Sequence, residues 1–220
     1  MFLNEGPAPI YIGFGSIVVD DSAKLTRIVF DAAKATGRRA IVGKGWGNIG
    51  SDEVDIPENI YMLGNCPHDW LFKHVSCVVH HGGAGTTAAG LALGCPTVVI
   101  PFFGDQPFWG SIVARAGAGP EPVPYKELTT EKLTDAILYA LESSTLQRAD
   151  EIAQNMKLEN GVRSAVDSFH RHLDLQALCC WICPARTAVW AIRHTKIRLS
   201  TFAVTVLVEA GLLKPFNVEM

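Results

Sequence analysis

The stretch "HHGGAGTTAAG", residues 80–90, stands between the apolar "CVV" (77–79) and a second apolar run, "PTVVIPFFGDQP" (96–107). A short run of β-branched residues that passes through glycines and threonines into "AAGLALG" is a strand handing over to a helix. Glycine accepts positive φ and lets another group approach closely, while a helix start offers unpaired N–H groups and a partial positive charge. The stretch therefore predicts a phosphate site at the helix start, with His81 donating a hydrogen bond and Thr86 and Thr87 adding hydroxyls. The alternative, a tight turn and nothing more, is as good for any single loop of this kind.

The same alternation extends in both directions. "PIYIGFGS" (9–16) is a strand ending in glycines, followed by a helix in which Leu25, Ile28, Val29 and Ala32 share one face, Asp21 or Ser22 starts it and Gly37 stops it. "RAIVG" (39–43), "NIYML" (59–63), "SCVVH" (76–80) and "PTVVI" (96–100) read as strands, with helices at "PHDWLFKH" (67–74) and "QPFWGSIVARAG" (106–117). Near-continuous apolar strands alternating with helices predict an α/β fold with a doubly wound parallel sheet covered on both faces. From Thr129 the chain reads as helical, through "TTEKLTDAILYALES" (129–143) and on from Thr145 to Leu173. The tail from "DLQALCCWIC" to "VEAGLL" (174–213) reads as one or two helices broken at Pro184, so the expected division is a Rossmann-like domain, 1–173, and a helical tail, 174–220.

With 220 residues, 48% hydrophobic and 19% charged, the composition is that of an ordinary globular chain with one substantial core. A net charge of -3 offers no basic field, so no nucleic-acid partner is expected. The start "MFLNEGPAP" carries no secretory leader pattern, and the run from Thr201 to Val208 is too short to cross a bilayer, so a cytoplasmic chain is expected. Six cysteines without a repeated framework read as reduced thiols. "CCWIC" (179–183) holds one C-x-x-C and no second pair, and reads as helix packing rather than a zinc site. Asp52, Glu53 and Asp55 read as a solvated loop, and no metal is expected.

Ligands of open parallel sheets bind beyond the carboxyl ends of the strands, where "GFGS" (13–16), "GKGWGNIG" (43–50), "HHGGAGTT" (80–87) and "PFFGDQP" (101–107) should converge. Neither the GxGxxG dinucleotide fingerprint nor a GxxxxGK[ST] loop is present. Asp105 and Gln106 join a carboxylate to an amide, a pair suited to vicinal hydroxyls and hence to a sugar; alone, Asp105 reads better as a helix cap. Trp46 serves equally as a stacking face for a base or as a packing residue.

"HHGGAGTTAAGLALGCPTVVIPFFGDQPFWG" resembles the donor-binding signature of the UDP-glycosyltransferases of the GT-B fold, and "HHGGAGTT" and "PFFGDQ" are most like the sterol 3β-glucosyltransferases. "IYIGFGS", "KGWG" and "PHDWLF" match the same subfamily, so the resemblance covers about residues 8 to 173, and "CPARTAVWAIRHTKIRLS" looks like the tail of its fungal members. The resemblance implies that Gly15, Ser16, His81, Gly83, Ala84, Gly85 and Thr86 bind the diphosphate of the co-substrate UDP-glucose, with no further cofactor. It implies that Asp105 and Gln106 hold the glucose hydroxyls and that the uridine lies against Cys66, Pro67 and His68, near Trp46. Asn65 and Ala89 stand where plant small-molecule glucosyltransferases carry a tryptophan and a ribose-binding glutamate.

Members of that family also carry an N-terminal domain that binds the acceptor and supplies a histidine general base, a role none of the seven histidines here matches. The expected activity is glucosyl transfer to a sterol 3β-hydroxyl or another lipid acceptor, with this chain as the donor-binding half and the apolar tail meeting that domain or a membrane surface. The alternative is a non-catalytic nucleotide-sugar-binding subunit that recruits a separate acceptor-binding partner.

Overall fold

The computed structural model describes residues 2–50 and 55–220, so Asp52 and Glu53 lie outside the described residues. The chain divides into two compact units, residues 1–159 and 160–220, one helix earlier than the expected boundary after Leu173.

The first unit runs β1 (Ile10–Ile12), α1 (Ser22–Ala35), β2 (Ala40–Gly43), β3 (Ile60–Leu63), α2 (His68–Leu71), β4 (Val78–His80), α3 (Ala84–Ala92), β5 (Thr97–Val99), α4 (Gln106–Arg115), α5 (Thr130–Ala140) and α6 (Ser143–Lys157). The five strands form one sheet in the order β3-β2-β1-β4-β5, and every pairing is parallel. Alternation along each strand sends side chains to opposite faces. Ile10, Ile12, Val42, Val79 and Val98 thus pack under Leu25, Val29 and Ala32 of α1 and Leu133 and Ile137 of α5. Tyr11, Ile41 and Val78 face the other way, onto Leu71, Phe72 and Cys95. Both faces are covered, as the apolar strands predict.

Local chemistry places the helix ends. Asp21 caps α1 by accepting the Lys24 N–H at 2.8 Å, and Thr129 caps α5 by accepting that of Lys132 at 3.2 Å. Gly37 and Gly94 take positive φ just past α1 and α3, at 64° and 73°.

The second unit holds α7 (Gly161–His172), β6 (Trp190–Ile192), β7 (Arg198–Leu199), α8 (Thr201–Glu209) and β8 (Val218–Glu219). The helical tail expected here is corrected: β6 is the centre of a three-stranded antiparallel sheet, β7-β6-β8, and among the described residues beyond Leu173 the helical segments are α8 and one short 3-10 turn, Pro215–Asn217. The turn between β6 and β7 needs His194 at φ 60°, a conformation that histidine adopts far less readily than glycine or asparagine. Without an Asn-Gly or Asp-Gly pair the hairpin carries no strong sequence signal. "CCWIC", expected to pack in a helix, instead forms a turn in which Cys179 bridges Thr187.

Candidate functional site

The strand order decides where the site lies. β1 pairs β2 on one side and β4 on the other, so the chain reverses its direction of winding between β1 and β4. The loops leaving their carboxyl ends, 13–16 and 81–83, diverge there and open a crevice.

His81 sits in that crevice. A Cβ on Gly83 would lie 2.6 Å from its Nε2, so the ring takes the space this glycine leaves, whereas a Cβ on Gly15 would stand in ordinary contact, 3.6 Å from its Cε1. Gly15 also needs φ 61°, and Trp46 donates its backbone N–H to the Gly15 carbonyl at 2.9 Å, tying the second glycine loop to the first. The His81 Nδ1 is buried without a hydrogen-bond partner among the described residues. Burial and then His68 hold its pKa below the ordinary value, with Asp105 acting in the opposite sense. At neutral pH His81 is therefore an uncharged ring with one N–H to offer.

Gly83 is the N-cap of α3 and supplies no side-chain cap; the first helical bond runs from the Thr87 N–H to the Gly83 carbonyl at 3.0 Å. The N–H groups of Ala84, Gly85 and Thr86 precede it and have no intrahelical acceptor. Among the described residues, and apart from the backbone of α3 and its chain neighbours, nothing lies within 4 Å of a Cβ placed on Gly85, so the space over this first turn is open. The two threonines differ: Thr87 is buried and donates its hydroxyl back to the Gly83 carbonyl at 3.0 Å, whereas half-buried Thr86 makes no such bond. Of the two hydroxyls expected to face a phosphate, only that of Thr86 is free to do so.

His80, fully buried at the end of β4, shapes this loop. Its Nδ1 accepts the Gly82 N–H at 2.9 Å and so fixes the turn in which Gly82 takes φ 89°. Burial, then His81 and His68, push the His80 pKa down to about 3. Below about pH 6.5 the unfolded chain takes up a proton at His80 that the folded chain refuses until about pH 3, so stability contributed above that window is lost as pH falls through it. Each unit costs about 1.4 kcal/mol. His80→Asn, whose Oδ1 can also accept the Gly82 N–H, is expected to flatten the acid limb of a urea-denaturation series; identical limbs in the two proteins would contradict this account.

A cavity of about 270 Å³ opens beside the crevice over the ends of β1, β2 and β3, lined among others by Tyr11, Ser16, Trp46, Asn65, Cys66 and His68. Trp46 is 72% exposed at this cavity, so it is not the packing residue of the alternative reading. Pro67 is exposed and only starts α2, while His68 stacks on Phe72 with ring centroids 4.7 Å apart. Tyr11 was not singled out by the sequence, where a strand tyrosine looks like core. Its hydroxyl lies over Gly13 and Gly43, whose added Cβ atoms would fall 2.3 and 3.0 Å from it. Burial, then Cys66, raise its pKa to about 12, so the hydroxyl stays protonated.

Asp105 and Gln106 behave unequally. Gln106 is buried, and its Oε1 accepts the N–H groups of Phe102 and Phe103 at 2.7 and 3.1 Å, which shapes the loop after β5. Asp105 occupies the N-cap position of α4 without a side-chain capping bond, contrary to the cap reading. Its exposed carboxylate instead accepts the Trp109 indole N–H at 2.7 Å, which orients it and leaves lone pairs for a ligand.

A sterol 3-beta-glucosyltransferase of Arabidopsis thaliana is 46% identical over 172 residues, which cover 78% of this chain and 28% of that protein. One from Yarrowia lipolytica is 39% identical over 178 residues, covering 78% of this chain and 12% of that protein. The chain thus spans well under a third of the length of these relatives. The crystal structure of the glycotransferase of kitacinnamycin superposes with a TM-score of 0.64 at 18% identity, over 77% of this chain and 44% of that one, and shows that the two chains share a fold over that region. The family model described as "Erythromycin biosynthesis protein CIII-like, C-terminal domain" matches residues 40–165, more than half of the chain. With its parallel sheet, its crevice between β1 and β4 and that match, the chain belongs to the erythromycin biosynthesis protein CIII-like C-terminal domain family.

Proposed function

We propose that this chain is the donor-binding half of a UDP-glucose-dependent glycosyltransferase that transfers glucose to a sterol 3β-hydroxyl. The observation that carries the reading is the first turn of α3, whose free N–H groups and open space at Gly85 stand beside His81 in the crevice between β1 and β4. Negative charge grows on the diphosphate as the anomeric bond breaks. N–H donors and a helix N-terminus already aimed at that position stabilise the charge without reorganising.

In this reading the N–H groups of Ala84, Gly85 and Thr86, the Thr86 hydroxyl, Ser16 and His81 hold the diphosphate. The cavity lined by Trp46, Cys66 and His68 takes the uridine, and Asp105 orients the glucose hydroxyls. Gln106 contributes by shaping the loop, with its amide nitrogen left for the sugar. Deprotonation of the acceptor hydroxyl needs a general base and a pocket that orients it. Both are assigned to the part of the longer relatives that lies outside the aligned region, and the sterol acceptor itself rests on the likeness to those relatives.

Calorimetric titration of the purified chain with UDP and UDP-glucose tests the reading. Saturable one-to-one binding is expected, weaker for UDP-glucose in Asp105→Ala and unchanged for UDP in that variant. A folded chain that binds neither nucleotide would overturn the donor-site assignment.

A further inference from the structure

The second unit holds a cysteine pair that the donor site does not use. Cys180 and Cys183 flank Trp181-Ile182 in a turn closed by two backbone hydrogen bonds, from the Cys180 N–H to the Arg186 carbonyl and from the Arg186 N–H to the Cys183 carbonyl, each 2.9 Å. Within it the Cys183 N–H donates to the Cys180 Sγ at 3.4 Å. Both cysteines pack into one apolar cluster with Leu199 and Ala203, and both are free thiols. That bond brings the Cys183 backbone against the Cys180 sulfur, and C-x-x-C is a spacing at which redox-active pairs form.

The surroundings favour the thiolate of Cys180. Burial opposes its ionisation, yet the Ser200 N–H, the Cys183 N–H, the Ser200 hydroxyl and the Ile182 N–H together bring its pKa down to about 7. Ser200 is the N-cap of α8: its Oγ accepts the Ala203 N–H at 3.2 Å, which leaves its own hydrogen for the sulfur, and the positive end of α8 lies at the same place. Although Cys180 is only 1% exposed, it lines, with Cys179, Trp181 and Pro184, an open cavity of about 370 Å³ through which a small reagent can approach. Among the described residues no group of three or more histidine, cysteine or acidic side chains is placed to hold a metal ion, so nothing present here shows these thiols to be ligands.

We propose that Cys180 and Cys183 form a thiol–disulfide exchange site, a dithiol that a low-molecular-weight disulfide closes to an intramolecular bridge and a thiol reductant reopens. The Cys180 thiolate attacks one sulfur of the incoming disulfide, forming a mixed disulfide and releasing one thiolate. Cys183 then gives its proton to solvent and attacks the Cys180 Sγ, forming the Cys180–Cys183 bond and releasing the second thiolate. The dithiol loses two electrons and two protons, and the small disulfide becomes two thiols.

The full chain is equilibrated in buffers of reduced and oxidised glutathione, quenched in acid, alkylated and mapped by mass spectrometry, folded and in urea. A reversible Cys180–Cys183 bridge is expected, with an equilibrium constant at least tenfold larger in the folded chain than in urea. Cys179→Ser should keep the bridge. Cys180→Ser and Cys183→Ser should each trap glutathione on the remaining partner. The proposal is overturned if both thiols stay alkylatable in the oxidised buffers, if glutathione adducts accumulate on the wild-type pair without closing, if Cys179 takes part in the bridge, or if the bridge forms equally in urea. The wild-type mapping decides even if a serine variant does not fold.

Discussion

The Gly119→Ala chain is expected to unfold at a far lower urea concentration than the wild type. A Cβ at this position would lie 1.9 Å from the Thr97 carbonyl oxygen, 2.9 Å from Val113 Cγ1 and 3.0 Å from the Thr97 carbonyl carbon. Neither backbone can withdraw cheaply. The Thr97 N–H donates to the Ala118 carbonyl at 2.9 Å, and Thr97 itself opens β5 in register with Val78 of β4. Relieving the overlap therefore breaks the outer edge of the sheet and disturbs the cluster of Val99, Val113 and Ala118 beneath it. Overpacking against backbone belongs to the severe tail of single substitutions, about 4 kcal/mol or more, against a total stability of about 5–15 kcal/mol for a domain. Circular dichroism through a urea titration reads the loss directly, with Gly64→Ala, at a loop position of the same unit whose Cβ meets nothing within 4 Å among the described residues, as the control in which no overlap arises. A Gly119→Ala midpoint within experimental error of the wild type would mean that this close approach is not a feature of the folded chain.

His81→Ala is expected to weaken UDP binding about 10- to 150-fold, the range that follows from losing a hydrogen bond to a charged oxygen worth about 1.5–3 kcal/mol. The fold should hold, because His81 is only half-buried and its Nδ1 has no hydrogen-bond partner among the described residues. Gly83→Ala should produce a loss of similar size by a different route: its new methyl would stand 2.6 Å from the His81 Nε2 and force the ring away from the crevice. Since both changes remove the same contact, the double variant should be little worse than either alone, and strict additivity would show that they act separately. Gly85→Ala separates the site from the scaffold. Its methyl meets no other group among the described residues, and alanine favours a helix by about 1 kcal/mol over glycine, so stability should hold or rise. The same methyl points into the space assigned to the diphosphate, so UDP affinity should fall. Unchanged affinity in a stable Gly85→Ala chain would place the phosphates elsewhere.

How much of this was legible in the sequence varied with the range of the interaction involved. The strands and helices of the first unit follow from local apolar patterning, and the glycine loops from backbone demands that only glycine meets. The division of labour among neighbouring polar residues was not legible. Thr86 and Thr87 are the same residue type one step apart, yet the helix turns Thr87 onto the Gly83 carbonyl and leaves Thr86 out. Gln106 and Asp105 look like a matched clamp, but the amide oxygen of Gln106 is engaged by the loop backbone while the carboxylate stays exposed. His80 reads as a spare histidine until its bond to the Gly82 N–H is seen. In the tail, the β-branched and aromatic residues of "TAVWAI" and "KIRL" suit strands, but no Asn-Gly or Asp-Gly pair marks a hairpin between them.

By itself, the sequence determined that this chain would build a parallel sheet with glycine-rich loops leaving its strands, because strand burial and positive φ are properties of a few neighbouring residues. Only the tertiary structure decided which of those loops meet. The order β3-β2-β1-β4-β5 sets the end of β1 beside the end of β4, lodges His81 between Gly15 and Gly83, and leaves the first turn of α3 open. Strand order is chosen by packing both faces of the sheet at once, through contacts between residues far apart in the chain, and no local pattern encodes it.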